Sequence, residues 1–167
     1  MRLASLVLIT CLAQAEDRWV LQFFHDKDDS QLSLNDIAFA TPERGVAVGY
    51  LTEKERVKPV AVVTSDGGAQ WSIVPTKEIG VSVFFFDVTS GWMVTEEGIW
   101  FTDEAGRSWR KLHDQRGLQG VYFTTRERGW AVGARKTILE TRDAGKTWTR
   151  LKAANDPKTS GEYTTYN

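Results

Sequence analysis

The sequence predicts an all-β fold, a run of β-propeller blades of four antiparallel strands each. Three observations predict it. Trp71, Trp109 and Trp148 recur at intervals of 38 and 39 residues, a period of the size of a propeller blade. Each closes an octamer of one pattern, hydroxyl-x-acid-x-Gly-x-x-Trp. Beyond the N-terminus, no stretch keeps the 3.6-residue apolar period of a helix, whereas short runs of Val, Ile, Phe and Trp alternate with Gly, Asp and Ser turns.

The elements follow in chain order. Residues 1–15 read as a cleavable secretory signal: Arg2, an apolar stretch from Leu3 to Ala13, and Ala13-Gln14-Ala15 before the charges of Glu16-Asp17-Arg18. The stretch is too short to span a bilayer, so export to the periplasm or the cell exterior is expected. Cys11 is the single cysteine. A lipid-anchor reading at Cys11 meets Thr10, where a smaller residue is normally required. With the signal removed, no disulfide or thiolate metal site remains. His25 and His113 lie in no ligand-like cluster, and no metal or cofactor is expected.

Residues 16–167 form the propeller segment. Arg18-Trp19-Val-Leu has the look of a box-following strand without a box, a spare outer strand over 18–24. Blades are expected at about 33–75, 80–113 and 118–152, with the start of a further blade at 160–167. In each blade a phenylalanine (Phe39, Phe85, Phe123) stands six residues before a strand-opening glycine (Gly45, Gly91, Gly129). The first blade is longer between its glycine and its tryptophan. The excess falls at Leu51–Pro59, a charged stretch read as a long inter-strand loop and a place for partner contact. Three blades fall short of the usual four to eight, and with the partial strands at either end they read as part of an incomplete propeller of six to eight blades. The remainder is expected from a longer chain, or failing that from self-association, because open blade edges and faces invite contact.

The octamers are Thr64-Ser-Asp66-Gly-Gly68-Ala-Gln-Trp71, Thr102-Asp-Glu104-Ala-Gly106-Arg-Ser-Trp109 and Thr141-Arg-Asp143-Ala-Gly145-Lys-Thr-Trp148. The acid can accept backbone N–H bonds across a tight turn, the glycine permits positive φ, and the tryptophan packs. All twelve positions are therefore read as structural. Glu104, one methylene longer than Asp, predicts a looser second turn. Deleting a buried box tryptophan is expected to cost about 3–5 kcal/mol. Trp92 and Trp130, each after a strand-opening glycine, read as packing residues. Trp100, between Ile99 and Phe101, reads as buried between blades, or alternatively as an exposed stacking platform for sugar.

Net charge is −1 with 41% hydrophobic residues, which gives no electrostatic reason to expect nucleic acid or an anionic membrane. The candidate partner-binding residues are a loose basic set in loops: Arg44, Arg56, Lys58, Arg126, Arg128, Arg135 and Lys136.

The stretch Gly129-Trp-Ala-Val-Gly133 through Ile138–Trp148 resembles the repeat of the photosystem II stability and assembly factor family, within the wider class of Asp-box repeats that includes sialidases and other glycosidases. The resemblance covers about residues 18–152. It implies a secreted or lumenal propeller acting as a non-enzymatic assembly or interaction factor with a protein partner. A shared fold does not by itself carry a shared function. The alternative is a glycosidase or carbohydrate-binding propeller. Hydrolysis by paired acids needs two carboxylates about 5–9.5 Å apart, and Asp87, Glu96, Glu97 and Asp114 show no pairing by spacing. The Phe-Arg-Ile-Pro-like segment that opens sialidases is missing, so no catalytic residue is assigned.

Overall fold

The computed structural model describes residues 21–25 and 27–152. Among them, twelve strands form three four-stranded antiparallel sheets, and there is no α-helix. Blade 1 comprises β1 (Ser30–Thr41), β2 (Arg44–Glu53), β3 (Arg56–Thr64) and β4 (Ser72–Pro75). Blade 2 comprises β5 (Gly80–Phe85), β6 (Gly91–Thr95), β7 (Gly98–Thr102) and β8 (Arg110–Asp114). Blade 3 comprises β9 (Leu118–Phe123), β10 (Gly129–Gly133), β11 (Thr137–Thr141) and β12 (Thr149–Arg150). In every blade, neighbours in sequence are neighbours in the sheet. The predicted all-β blade architecture is present.

The three repeated landmarks turn out to be one contact. Phe39, Phe85 and Phe123 pair across the strands with Gly45, Gly91 and Gly129. A Cβ on Gly45 would lie 2.6 Å from the Phe39 ring, and one on Gly129 would lie 2.5 Å from that of Phe123. The glycine leaves room for the ring to lie across it and meet the box tryptophan edge-on. Centroid separations are 6.1 Å for Phe39–Trp71, 6.3 Å for Phe85–Trp109 and 6.0 Å for Phe123–Trp148. Such edge-to-face pairs add to plain burial.

Strand alternation gives each blade two faces. The rear face carries the Phe–Gly–Trp contact, and the forward face carries the residue after the strand-opening glycine. Forward residues Val46, Val48 and Ala61 of blade 1 pack on rear residues Val83, Met93 and Trp100 of blade 2. Forward residues Trp92, Val94 and Ile99 of blade 2 pack on Val121, Phe123, Ala131 and Leu139 of blade 3. The core is thus two seams between blades. Trp100 is buried in the first, 4% exposed, with its Nε1 donating to Glu78 Oε2 at 2.9 Å. That leaves no open platform for sugar stacking.

One expectation is corrected. Leu51–Pro59 is not a long loop. Strands β2 and β3 continue in register through Leu51↔Lys58 to Glu53↔Arg56. The turn is two residues, Lys54 and Glu55, both at positive φ (45° and 66°), as tight hairpins require. The charges that suggested a loop decorate this hairpin, where Glu53 holds both Lys27 and Lys58. Of the spare strand expected at 18–24, the described part, Leu21–Phe24, carries no strand. It lies against blade 1, with Phe23 and Trp71 ring centroids 6.4 Å apart. Residues 18–20, the signal at 1–15 and the start of a further blade at 160–167 lie outside the described residues.

Candidate functional site

Each blade has two ends. At one, the β1–β2-type turn bonds to the box turn: Gly67 N donates to Glu43 O, Ala105 N to Thr89 O and Ala144 N to Glu127 O. At the other, the hairpin between the second and third strands bonds to the segment leading into the sheet, as in Lys54 N to Asp29 O and Ala134 N to Gly117 O. All three boxes share the first end.

The box residues engage one another. Thr64, Thr102 and Thr141 are buried, and their hydroxyls accept from the amides of Gly68, Gly106 and Gly145 at 3.0, 3.1 and 2.9 Å. Those glycines take φ of 91°, 81° and 83°, a conformation costly for residues with a Cβ. Asp66 Oδ1 accepts from Gln70 N and Thr64 Oγ1, each at 2.9 Å. Asp143 Oδ1 accepts from Thr147 N at 2.8 Å and Thr141 Oγ1 at 2.9 Å. The Gln70 amide and then the Thr64 hydroxyl hold Asp66 below its ordinary pKa. The Thr147 hydroxyl and amide do the same for Asp143.

Glu104 instead accepts from the Ser108 hydroxyl at 2.7 Å. The turn nevertheless keeps the conformation of the third box, with Ala105 at φ 54° beside 61° for Ala144. What differs is the set of groups that the carboxylate binds: Asp66 and Asp143 each accept a backbone N–H of their turn, and Glu104 accepts the Ser108 hydroxyl. The indoles of Trp109 and Trp148 donate to Gly106 O and Gly145 O, each at 3.0 Å. Trp71 Nε1 is buried with no such partner among the described residues. The three box tryptophans are half-buried rather than core, whereas Trp92 is fully buried. The largest packing role belongs to the latter.

The candidate basic set divides. Arg44, Arg126 and Arg128 lie at the box end, and Arg56, Lys58, Arg135 and Lys136 at the opposite end. Arg126 bridges blades to Asp87 and Ser90. Burial pushes the Asp87 pKa up, but Arg126 and the amides of Thr89 and Ser90 outweigh it and hold the carboxyl well below its usual range. Arg128 pairs with Glu140 and lies over the Trp130 ring at 4.9 Å. Lys58 pairs with Glu53, whose pKa Lys27 and Lys58 together lower to about 2. Arg135 and Lys136, both at φ 56°, form the β10–β11 turn. Arg56 lines a notch of about 510 Å³ with Lys27, Asp28, Asp29, Glu53, Lys54 and Lys58.

Arg44 remains, and the structure brings it to a residue outside the candidate set. It lines a crevice of about 330 Å³ between the first two boxes, with Asp66, Gln70, Ser72 and, from blade 2, Ala105 and Arg107. Neither guanidinium forms an ion pair among the described residues. Two arginines, a carboxylate and a carboxamide around one opening suit a peptide that presents both acceptors and donors. Of the acids weighed for hydrolysis, Asp87 sits in the β5–β6 turn at the box end. Glu96, Glu97 and Asp114 sit at the other end, where Glu97 pairs with Arg116 and Asp114 with Lys111.

Residues 111–165 match the family described as photosynthesis system II assembly factor YCF48. No curated protein matches the chain. Among solved structures, YCF48 bound to a D1 peptide is similar with a TM-score of 0.60 at 20% identity, covering 75% of this chain and 45% of that one. A GH74 enzyme of Niastella koreensis gives 0.58 at 12% identity, covering 71% of this chain and 22% of that one. The GH74 xyloglucanase of Xanthomonas campestris gives 0.50 at 11%, with 71% and 30% covered. The chain therefore spans less than half the length of these relatives, and at such identities the structural likeness is one of fold. In sequence repeat and in fold, the chain resembles the assembly factor family of Asp-box propellers.

Proposed function

We propose that this photosystem II assembly factor-like propeller segment is an exported, non-catalytic scaffold that binds a peptide stretch of a partner protein. The observation that carries the reading is the match of 111–165 to the assembly factor family. Support comes from the boxes, whose carboxylates are engaged by their own turns. The contact site in this reading is the crevice between the first two boxes, lined by Arg44, Arg107, Asp66 and Gln70. Its polar lining suits an extended peptide carrying a carboxylate, which the two guanidiniums would hold through charge-assisted bonds. Export rests on the signal-like residues 1–15.

The test is calorimetric titration with a D1 peptide, the ligand of the solved YCF48 complex, followed by peptides of scrambled sequence. Saturable binding that Arg44→Ala or Arg107→Ala weakens about tenfold supports the reading, that being the value of one charge-assisted bond. Turnover of aryl glycosides above buffer, with no peptide bound, would replace it with a hydrolase.

A further inference from the structure

The two seams differ most in their outer part, beside the boxes. Between blades 2 and 3, blade 2 fills this part with its own side chains. Phe101 stands opposite Trp92 in the strand register and meets it edge-on, with centroids 5.2 Å apart. Arg110, opposite Phe101, lays its guanidinium over that ring at 4.7 Å from the centroid. Leu112 reaches the box of blade 3, where a Cβ on Gly145 would lie 3.2 Å from its Cδ1. Phe101, Leu112 and Ala144 all pack against the core of this seam.

Blade 1 carries a smaller side chain at each of the same positions. Aligned on the box, Val63 stands for Phe101, Ser72 for Arg110 and Val74 for Leu112. Val46, opposite Val63 as Trp92 is opposite Phe101, stands for the indole. Across the seam, Ala105 keeps the place of Ala144. The four truncations fall at one spot, and the crevice of about 330 Å³ opens there, with Val63, Ser72, Val74 and Ala105 in its walls. Its lining holds two guanidiniums, Arg44 and Arg107, and no aromatic ring. Gln22 and Phe23 lie on the opposite, rear side of blade 1, at Gly68 and Trp71. A carboxylate alone would engage the arginines and leave the Val63, Val74 and Ala105 wall in water. A ring covers that wall and offers its face to a guanidinium, as Phe101 does to Arg110.

Resting on the peptide-binding reading above, we infer that the crevice takes an aromatic side chain of the partner peptide beside an acidic residue. The ring sits on Val63, Val74 and Ala105 beneath one guanidinium, and the neighbouring carboxylate pairs with the other.

The test follows the amide signals of Ala105 and Arg107 by nuclear magnetic resonance in the full-length chain. The probes are a glycine-serine host peptide with one Phe-Glu pair, the same host with Leu-Glu or Ala-Glu, and a D1 peptide. The Phe-Glu peptide is expected to saturate the shifts at millimolar concentration. Leu-Glu should bind about fivefold more weakly, the value of one cation–π contact, and Ala-Glu about thirtyfold more weakly through lost burial. Val63→Phe combined with Ser72→Arg installs the filling of the second seam and should abolish binding with unchanged circular dichroism. Affinity as high for the Leu or Ala peptide as for the Phe peptide would overturn the inference and leave the peptide reading standing. So would binding that the folded double variant retains, or binding of the D1 peptide without any of the host peptides. Failure of the D1 peptide and of all three host peptides to bind would overturn both.

Discussion

The two seams of this arc use one register and different chemistry. Between blades 2 and 3 the contact is aromatic. Trp92 stacks on Phe123 with centroids 3.7 Å apart, Phe84 lies behind the same ring, and Trp92 Nε1 donates to Ala144 O at 3.1 Å. Between blades 1 and 2 the forward face is aliphatic, with Val46 at the position of Trp92. Two polar side chains of the inner strand bond backbone across that seam: Asp36 Oδ2 accepts from Val83 N at 2.9 Å, and Asn35 Nδ2 donates to Gly80 O at 2.8 Å. The repeat sets where blades touch and leaves open how they adhere. Stacking area at one seam does the work that satisfied backbone polar groups do at the other.

The sharpest way to break this contrast is at Trp92. Trp92→Ala removes a fully buried indole from the aromatic seam and should cost about 3–5 kcal/mol in denaturant unfolding. The matching lesion at the other seam is Asp36→Ala, which leaves the Val83 amide without its acceptor. A loss of about 1–3 kcal/mol is expected, and a loss as large as that of Trp92→Ala would show the seams to be alike.

Within the boxes, Glu104→Asp should allow the carboxylate to reach the amide that Asp66 and Asp143 bind in their own turns. Stabilisation of about 0.5–1.5 kcal/mol is expected, read as a higher denaturation midpoint. The smallest effect is that of acid. The folded pKa values of Asp66 and Asp143 are depressed, so their contribution is complete above the unfolded value near 4. It is lost as pH falls below that through the folded values. The slope of stability against pH below about pH 4 should flatten when either residue is replaced by Asn.

The sequence makes the landmarks legible because they are local and repeated: the phenylalanine, the glycine six residues later and the box tryptophan all keep their spacing. That they form one edge-on contact is not legible, since the contact depends on strand register. Burial was misjudged for the same reason. Trp92 and Trp109 are both aromatic residues beside turns, and only the packing of one blade on the next makes the first core and the second half-buried. Leu51–Pro59 looked like a loop because charge outweighed alternation, although a long solvated hairpin tolerates charge on its exposed positions. Arg107 was missed because it occupies a variable position of its box. The crevice it shares with Arg44 exists only where two repeats meet. No reading of a single repeat would show it.

On the proposed reading the threonine, acid and glycine of each box hold its turn, whereas Arg44 and the variable box positions Gln70 and Arg107 line the peptide crevice between the first two boxes. A crossed measurement tests it most directly: thermal midpoint and D1-peptide affinity for Asp143→Ala, far from the crevice, and for Arg44→Ala, within it. The account predicts a lower midpoint with unchanged affinity for Asp143→Ala, and an unchanged midpoint with about tenfold weaker affinity for Arg44→Ala. Loss of affinity in Asp143→Ala at an unchanged midpoint would contradict it and move the contact from the first two boxes to the third.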